Sequence, residues 1–322
     1  MAKYTSIGGQ ALIEGILMKS PEKTALCVRL PDGNIDTSYM EDKRLSKKYK
    51  IFKLPIIRGV VGFAESMIQG YKALMISADK SGFADLEEEA PKEEKTEEKK
   101  DNTFLNIVMI IGAVLGVMLA IALFMYLPRL LVSGIEWVIG SSITSKLLRS
   151  GIEQLVKLVI FVGYVWAVSY MKDIKRVFMY HGAEHKTIFC YEKGLELTVE
   201  NVKPQKRFHP RCGTSFMILM ILISVIFSTI LQMIFPAVYT IKWLWVVAKI
   251  LMIPLICGVG YEVLKICGRY DNVITRIISA PGMWLQRLTT KEPEDDMIEI
   301  AIAALKACEP EVPDVERNND NI

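Results

Sequence analysis

The sequence predicts an α-helical integral membrane protein in which four transmembrane helices carry a composite α+β cytoplasmic head. Three observations predict it. Hydrophobic residues make up 51% of the 322-residue chain, a high share for a soluble domain. The mean hydropathy is positive, at +0.29. Four apolar runs each approach the roughly 20 residues that a helix needs to cross the hydrocarbon of a bilayer. The formal net charge of +3 is too small to point to nucleic acid, and the basic residues cluster beside apolar runs, so the lipid bilayer is the expected partner. Within Met1 to Leu12 the residues Gly8, Gly9 and Gln10 interrupt any apolar core, so no secretory signal is expected and the N-terminus is placed in the cytoplasm. The cysteines Cys27, Cys190, Cys212, Cys257, Cys267 and Cys308 have no repeated spacing, and reduced thiols are expected.

Residues 1–84 read as a cytoplasmic β-hairpin followed by an amphipathic helix. Pro31-Asp32-Gly33-Asn34 is a turn signal between two short apolar runs. Between Pro55 and Ala78 the residues Ile56, Val60, Phe63, Met67, Ile68, Tyr71, Leu74 and Met75 recur at helical spacing, which predicts a helix lying on the membrane or on a partner domain. Residues 85–102 contain the charged run Leu86 to Lys100, too polar to offset the entropy of ordering, and are expected to form a disordered linker.

Residues 103–171 are expected to hold spans one and two, with apolar runs at Phe104 to Leu127 and Ile152 to Met171. Residues 214–266 hold spans three and four, at Thr214 to Phe235 and Trp243 to Leu264. Glu153 and Lys157 sit near the start of span two, where they can reach an interface. The connection Pro128 to Ser150 carries three basic residues, and Lys172 to Gly213 carries nine. By the positive-inside rule the latter connection is cytoplasmic, together with both termini. Residues 267–322 form the C-terminal piece: a Trp-anchored interfacial stretch from Pro281 to Pro293, an amphipathic helix from Asp295 to Cys308, and a frayed tail from Pro310.

All three histidines of the chain lie in the connection spanning residues 172–213. His181 and His185 are four residues apart, which on a helix puts both imidazoles on one face. With Glu184 between them they spell H-x-x-E-H, the order in which two His bind zinc and a Glu serves as base. His209 and Cys212 follow in His209-Pro210-Arg211-Cys212. The candidate ligands of a divalent metal, expected to be zinc, are therefore His181, His185, His209 and Cys212, and the candidate catalytic base is Glu184. The bland reading gives these histidines to hydrogen bonds at the headgroup boundary and makes His-Pro-Arg-Cys-Gly a turn into span three. Ile7 to Gly15 is Gly-rich but lacks the Lys-Ser/Thr ending of a phosphate loop and the spacing of a dinucleotide fingerprint, so a tight turn is expected there. Glu262, with Lys265 and Arg269 one and two turns on, reads as a helix-surface ion pair.

The stretches Gly8 to Pro21, Pro55 to Ala78, His181 to Val202, His209 to Phe216 and Pro281 to Leu305 resemble the YqhQ-like family of bacterial multi-pass membrane proteins, whose members are often labelled as predicted metal-dependent enzymes. The family pattern more often has Arg where this chain has Lys19, which keeps the charge and puts only a bidentate contact in doubt. The resemblance implies one composite head assembled from the three cytoplasmic pieces, in which Gly8 to Glu14 and Arg58 to Glu65 support the histidines. Two functions remain open. One is a membrane-embedded metal-dependent hydrolase acting at the cytoplasmic surface of the plasma membrane. The other is a non-enzymatic accessory or scaffold of a translocation or assembly machine, with a structural metal clasp and other membrane proteins as partners. A transporter is less favoured, since charged groups lie only near the span ends.

Overall fold

A computed structural model describes residues 7–41, 49–82, 103–141, 143, 145–270 and 272–309. Four strands, β1 (Gly8–Leu12), β2 (Gly15–Lys19), β3 (Thr24–Arg29) and β4 (Ile35–Tyr39), form an antiparallel meander in sequence order. The expected hairpin is its second half. Its turn is closed by Leu30 N–H donating to Asn34 O (2.9 Å) and by Asn34 N–H donating to Asp32 Oδ1 (3.0 Å). The Gly-rich stretch expected to be a tight turn is instead strand β1, paired from Gly8 with Lys19 to Leu12 with Gly15.

Strands β2 and β3 are buried almost throughout, because both faces of the sheet are covered. Alternation sends Ile16, Met18, Ala25 and Cys27 to one core and Leu17, Leu26 and Val28 to another. Two covered faces turn an alternating pattern into a continuous apolar run, as in GILMK and TALCVR.

Helix α1 (Ile57–Lys80) covers the second face through its small residues Gly70, Ala73 and Ser77, with Ser77 donating to Ile13 O. Its large apolar residues Met67, Ile68 and Tyr71 are exposed. Arg58, near its start, grips Glu262 with two donors, one at 2.7 Å, and Ile56 N–H adds a third contact to that carboxylate at 3.3 Å. The partner of Glu262 is thus on another helix, not the neighbouring Lys265 or Arg269 of its own.

Among the described residues, four helices are long and apolar enough to cross a membrane: Val114–Ile139, Leu148–Val168, Gly213–Ile234 and Trp243–Arg269. The first apolar run does not stop at Leu127. Helix α2 (Thr103–Ile121) passes through a π-helical turn (Ala122–Tyr126) into α3 (Leu127–Ile139), with Pro128 tolerated in its first turn and Gly140 closing it at φ 71°. Helix α4 (Lys146–Val168) follows. Glu153 lies within reach of Arg129 (3.9 Å) and Arg149 (3.7 Å), and Arg149 also holds Glu136 (3.1 Å), so the carboxylate near the start of span two is paired. The charged segment 85–102 and the tail from Pro310 lie outside the described residues.

The remaining helices are α5 (Lys172–Glu192), α6 (Val199–Val202), α7 (Gly213–Ile234), α8 (Pro236–Thr240), α9 (Lys242–Arg269), α10 (Val273–Thr289) and α11 (Asp295–Cys308). The chain divides into two compact units. One comprises Met1–Glu88, Ala167–Ile223 and Ala248–Ile322, and the other Glu89–Trp166 and Ser224–Val247. In the first, α11 is the centrepiece. Met297, Ile298, Ile300, Ala301, Ala304 and Leu305 are wholly buried with Tyr180 and Ala183 of α5 and the inner face of the sheet. The interfacial stretch expected from Pro281 is helical to Thr289 and then runs extended over α5, where Lys291 N–H donates to Phe178 O at 2.8 Å. Gly182 makes this crossing possible, because a Cβ there would collide with Lys291 O.

Candidate metal centre

The helical periodicity of α5 sets His181 and His185 one turn apart, with ring centroids separated by 4.4 Å. Both rings are oriented by backbone carbonyls. His181 Nδ1 lies 2.8 Å from Thr289 O, at the end of α10, and His185 Nδ1 lies 2.5 Å from Arg207 O. A carbonyl can only accept, so each Nδ1 carries a proton and each Nε2 is the free ligand atom. Cys212, at the turn before α7, brings Sγ to 3.1 Å from His181 Nε2. One ligand atom from each of His181, His185 and Cys212 lies within 4.8 Å of the other two.

His181 has acceptors at both nitrogens, and that decides its protonation in the metal-free protein. Burial opposes its charge, but the Cys212 sulfur, the hydrogen bond to it and the Glu184 carboxylate outweigh burial and raise the His181 pKa to about 9. The Cys212 thiol shifts the opposite way. Burial works against the thiolate, yet the two neighbouring imidazoles hold it well below the usual thiol range. Each group thus favours the charged form of the other.

Glu184 is 4% exposed. Burial raises its pKa against the opposing pull of His185 and His181. The amide of Gly9 donates to its carboxylate, and a Cβ on Gly9 would stand 2.9 Å from that carboxyl and from Leu17 O. Strand β1 therefore supports the site, as the resemblance implied for this stretch. The other implied supporter, Arg58, is engaged with Glu262. Glu14, at φ 50° in the turn after β1, receives both Arg176 donors (2.5 and 2.7 Å) and the Tyr180 hydroxyl (3.0 Å). Burial acts against its charge, but Arg176 and Tyr180 hold its carboxyl below the ordinary range.

His209, expected among the ligands, is not in the gathered set. Its ring packs against Phe189 (4.9 Å) and His185 (5.6 Å), its Nδ1 accepts from Arg211 N–H (3.3 Å), and its Nε2 faces Glu192 at 3.9 Å. Burial, opposed by Glu192, lowers its pKa and keeps the ring neutral. The physical reason lies in Gln286, which the sequence reading passed over. Its Oε1 accepts from His209 N–H (2.7 Å), and its Nε2 donates to His209 O (2.7 Å) and Ser215 Oγ (2.8 Å). This fully buried amide clamps the backbone before Cys212 and delivers the thiol, leaving the imidazole turned away.

The gathered set is two imidazole nitrogens and a thiolate. Zinc takes such donors, and three of them leave a position open. The residues present therefore fit a divalent metal.

Comparison with known proteins identifies the lineage. A family model described as "Protein of unknown function (DUF1385)" matches residues 54–311. This chain belongs to that family. It is also 34% identical over 296 residues to the uncharacterized protein YqhQ of Bacillus subtilis (strain 168), covering 92% of this chain and 89% of that one. No solved structure matches.

Proposed function

We propose that this family member is a multi-pass protein of the plasma membrane with both termini cytoplasmic, and that its head binds a divalent metal, zinc in the first instance, through His181, His185 and Cys212. The observation that carries the proposal is the convergence of those three ligand atoms with both imidazoles locked by carbonyls. The basic connection between the second and third apolar helices supports the orientation.

The function favoured by this geometry is metal-dependent hydrolysis at the membrane surface. When bound, a metal with three protein ligands and an open position supplies Lewis acidity to a carbonyl or phosphoryl centre and to water. The protein's own contribution is the placement of a base. Glu184, one residue from His185 and held by Gly9 N–H, has a raised pKa that suits it to take a proton from the attacking water and return it to the leaving group. Thr289 O and Arg207 O hold the imidazole tautomers throughout.

A second reading rests on Cys212. A thiolate ligand in a site this enclosed is typical of structural zinc, and the ligands tie α5 to the segment before α7. On that reading the metal staples α5 to the segment before α7 through His181, His185 and Cys212, and the head is a docking module for a membrane assembly.

The test is elemental analysis of purified full-length protein. Wild type should hold about one metal per chain, and His181→Ala/His185→Ala none, at the stoichiometry that one three-ligand site implies. A wild type without metal, purified free of chelator, sinks both readings. Glu184→Gln then separates them: metal retained with the cellular role lost indicates the base, whereas metal and role both retained indicate the clasp. Affinity should rise with pH until about 9, where His181 no longer has to surrender a proton to the metal.

A further inference from the structure

Beside the candidate metal centre, within the same compact unit, a cavity of about 450 Å³ opens between the 206–211 segment, the last turn of α9 and one face of α10. Three features of its walls bear on what it holds. Its cationic members are Lys193, Lys206, Arg211 and Arg276, against one carboxylate, Glu192, which Arg211 already engages. The rest of the lining is largely apolar, including Phe189, Tyr270 and Met283. Its position is also defined along the chain: Arg211 stands two residues before the third apolar helix begins, and Cys267 and Gly268 lie in the last turn of the fourth. Two spans thus end at the cavity, at the depth where headgroups lie. Helix α10, which supplies Thr275, Arg276, Ser279 and Met283 to the wall, exposes Val273, Ile274 and Ile277, an apolar edge of the kind that settles into the headgroup boundary.

We propose that this cavity binds the headgroup of an anionic phospholipid, with the phosphate among Lys206, Arg276 and Arg211 and the start of the acyl chains along Phe189 and Met283. A phosphate needs several cations and tolerates an apolar floor only if the rest of the ligand is apolar, and a phospholipid satisfies both demands. A free phosphate compound would satisfy the first alone. His209 both lines the cavity and packs on His185, which brings a bound headgroup next to the metal centre. Binding itself does not depend on metal.

The test is native mass spectrometry of the delipidated full-length protein in detergent, titrated with short-chain phosphatidylglycerol, phosphatidylcholine of equal chain length, and inorganic phosphate as competitor. The expected result is phosphatidylglycerol bound about tenfold more tightly than phosphatidylcholine, and resistant to millimolar phosphate. Lys206→Glu/Arg276→Glu, two exposed positions, should erase most of that preference. Lys172→Glu/Lys175→Glu, the same charge change at the start of α5 and away from the cavity lining, should leave it within about twofold. Equal affinity for the two lipids overturns the proposal. So does equal loss in both double variants, which means diffuse attraction, and so does displacement by phosphate, which reassigns the cavity to a soluble phosphate compound.

Discussion

The head and the four long apolar helices bury apolar residues to very different degrees. In the head, α11 hides almost its whole apolar face against the sheet and α5. In the four long apolar helices only 6% to 28% of the most hydrophobic window is buried in protein, and Val117 and Leu119 stand about 60% exposed. Water penalises exposure of that kind over so large an area, whereas hydrocarbon does not. Within one chain, then, the same residue types are arranged in two ways: protein-on-protein packing in the head, and largely uncovered apolar surface on helices long and apolar enough to cross a membrane.

The largest effect that would break this comparison is expected in the head. Ile298→Asp places an unpaired charge in a fully closed core and should cost more than about 4 kcal/mol, seen as protease sensitivity of the head with the apolar helices still membrane-bound. The complementary change is Val117→Asp. It would cost almost nothing on a water-facing helix, but should penalise insertion by roughly 2.5–3.5 kcal/mol if the span faces lipid. Free insertion of that variant in a membrane-integration assay would mean that the helix is not a span.

Smaller effects sharpen the contrast inside the head. Gly9→Ala has no room between Glu184 and Leu17 O and should lower stability by about 1–3 kcal/mol, the range for overpacking, while also displacing Glu184, so metal content and thermal midpoint should fall together. Glu14→Gln should cost about 1 kcal/mol or less, because the ion pair with Arg176 is part-exposed and screened. Its pH dependence has a definite sign. The folded carboxyl titrates below its unfolded value, so its stabilisation is complete above an ordinary carboxylate pKa of about 4.3 and is lost as pH falls through the lower folded value. Wild type and Glu14→Gln should converge in stability under acid.

Much of this was legible from periodicity. The apolar runs, the hairpin at Pro31 to Asn34 and the pairing of His181 with His185 are local patterns, and the structure carries them with shifted ends. What the sequence did not disclose depends on contacts distant in the chain or on backbone atoms. Thr289 O and Arg207 O orient the imidazoles, yet carbonyls belong to every residue and leave no mark in a pattern. Gln286 lies in the stretch read as Trp-anchored and interfacial, and only packing shows that it binds the backbone of His209. The same packing separates His209 from the ligand set, although chain proximity to Cys212 suggested otherwise. Helix α11 read as an amphipathic helix with no stated partner, because its burial requires a sheet made some 260 residues earlier.

That separation in sequence has a consequence for biogenesis. The ribosome delivers strands β1–β4 first and α11 only after all four apolar helices have been made, so until then the inner face of the sheet has only α5 to cover part of it. Closure of the head then waits for α11. A chain stalled before α11 would present a half-covered core to chaperones and proteases, which would give the cell a direct reading of whether the last piece of the head had been made.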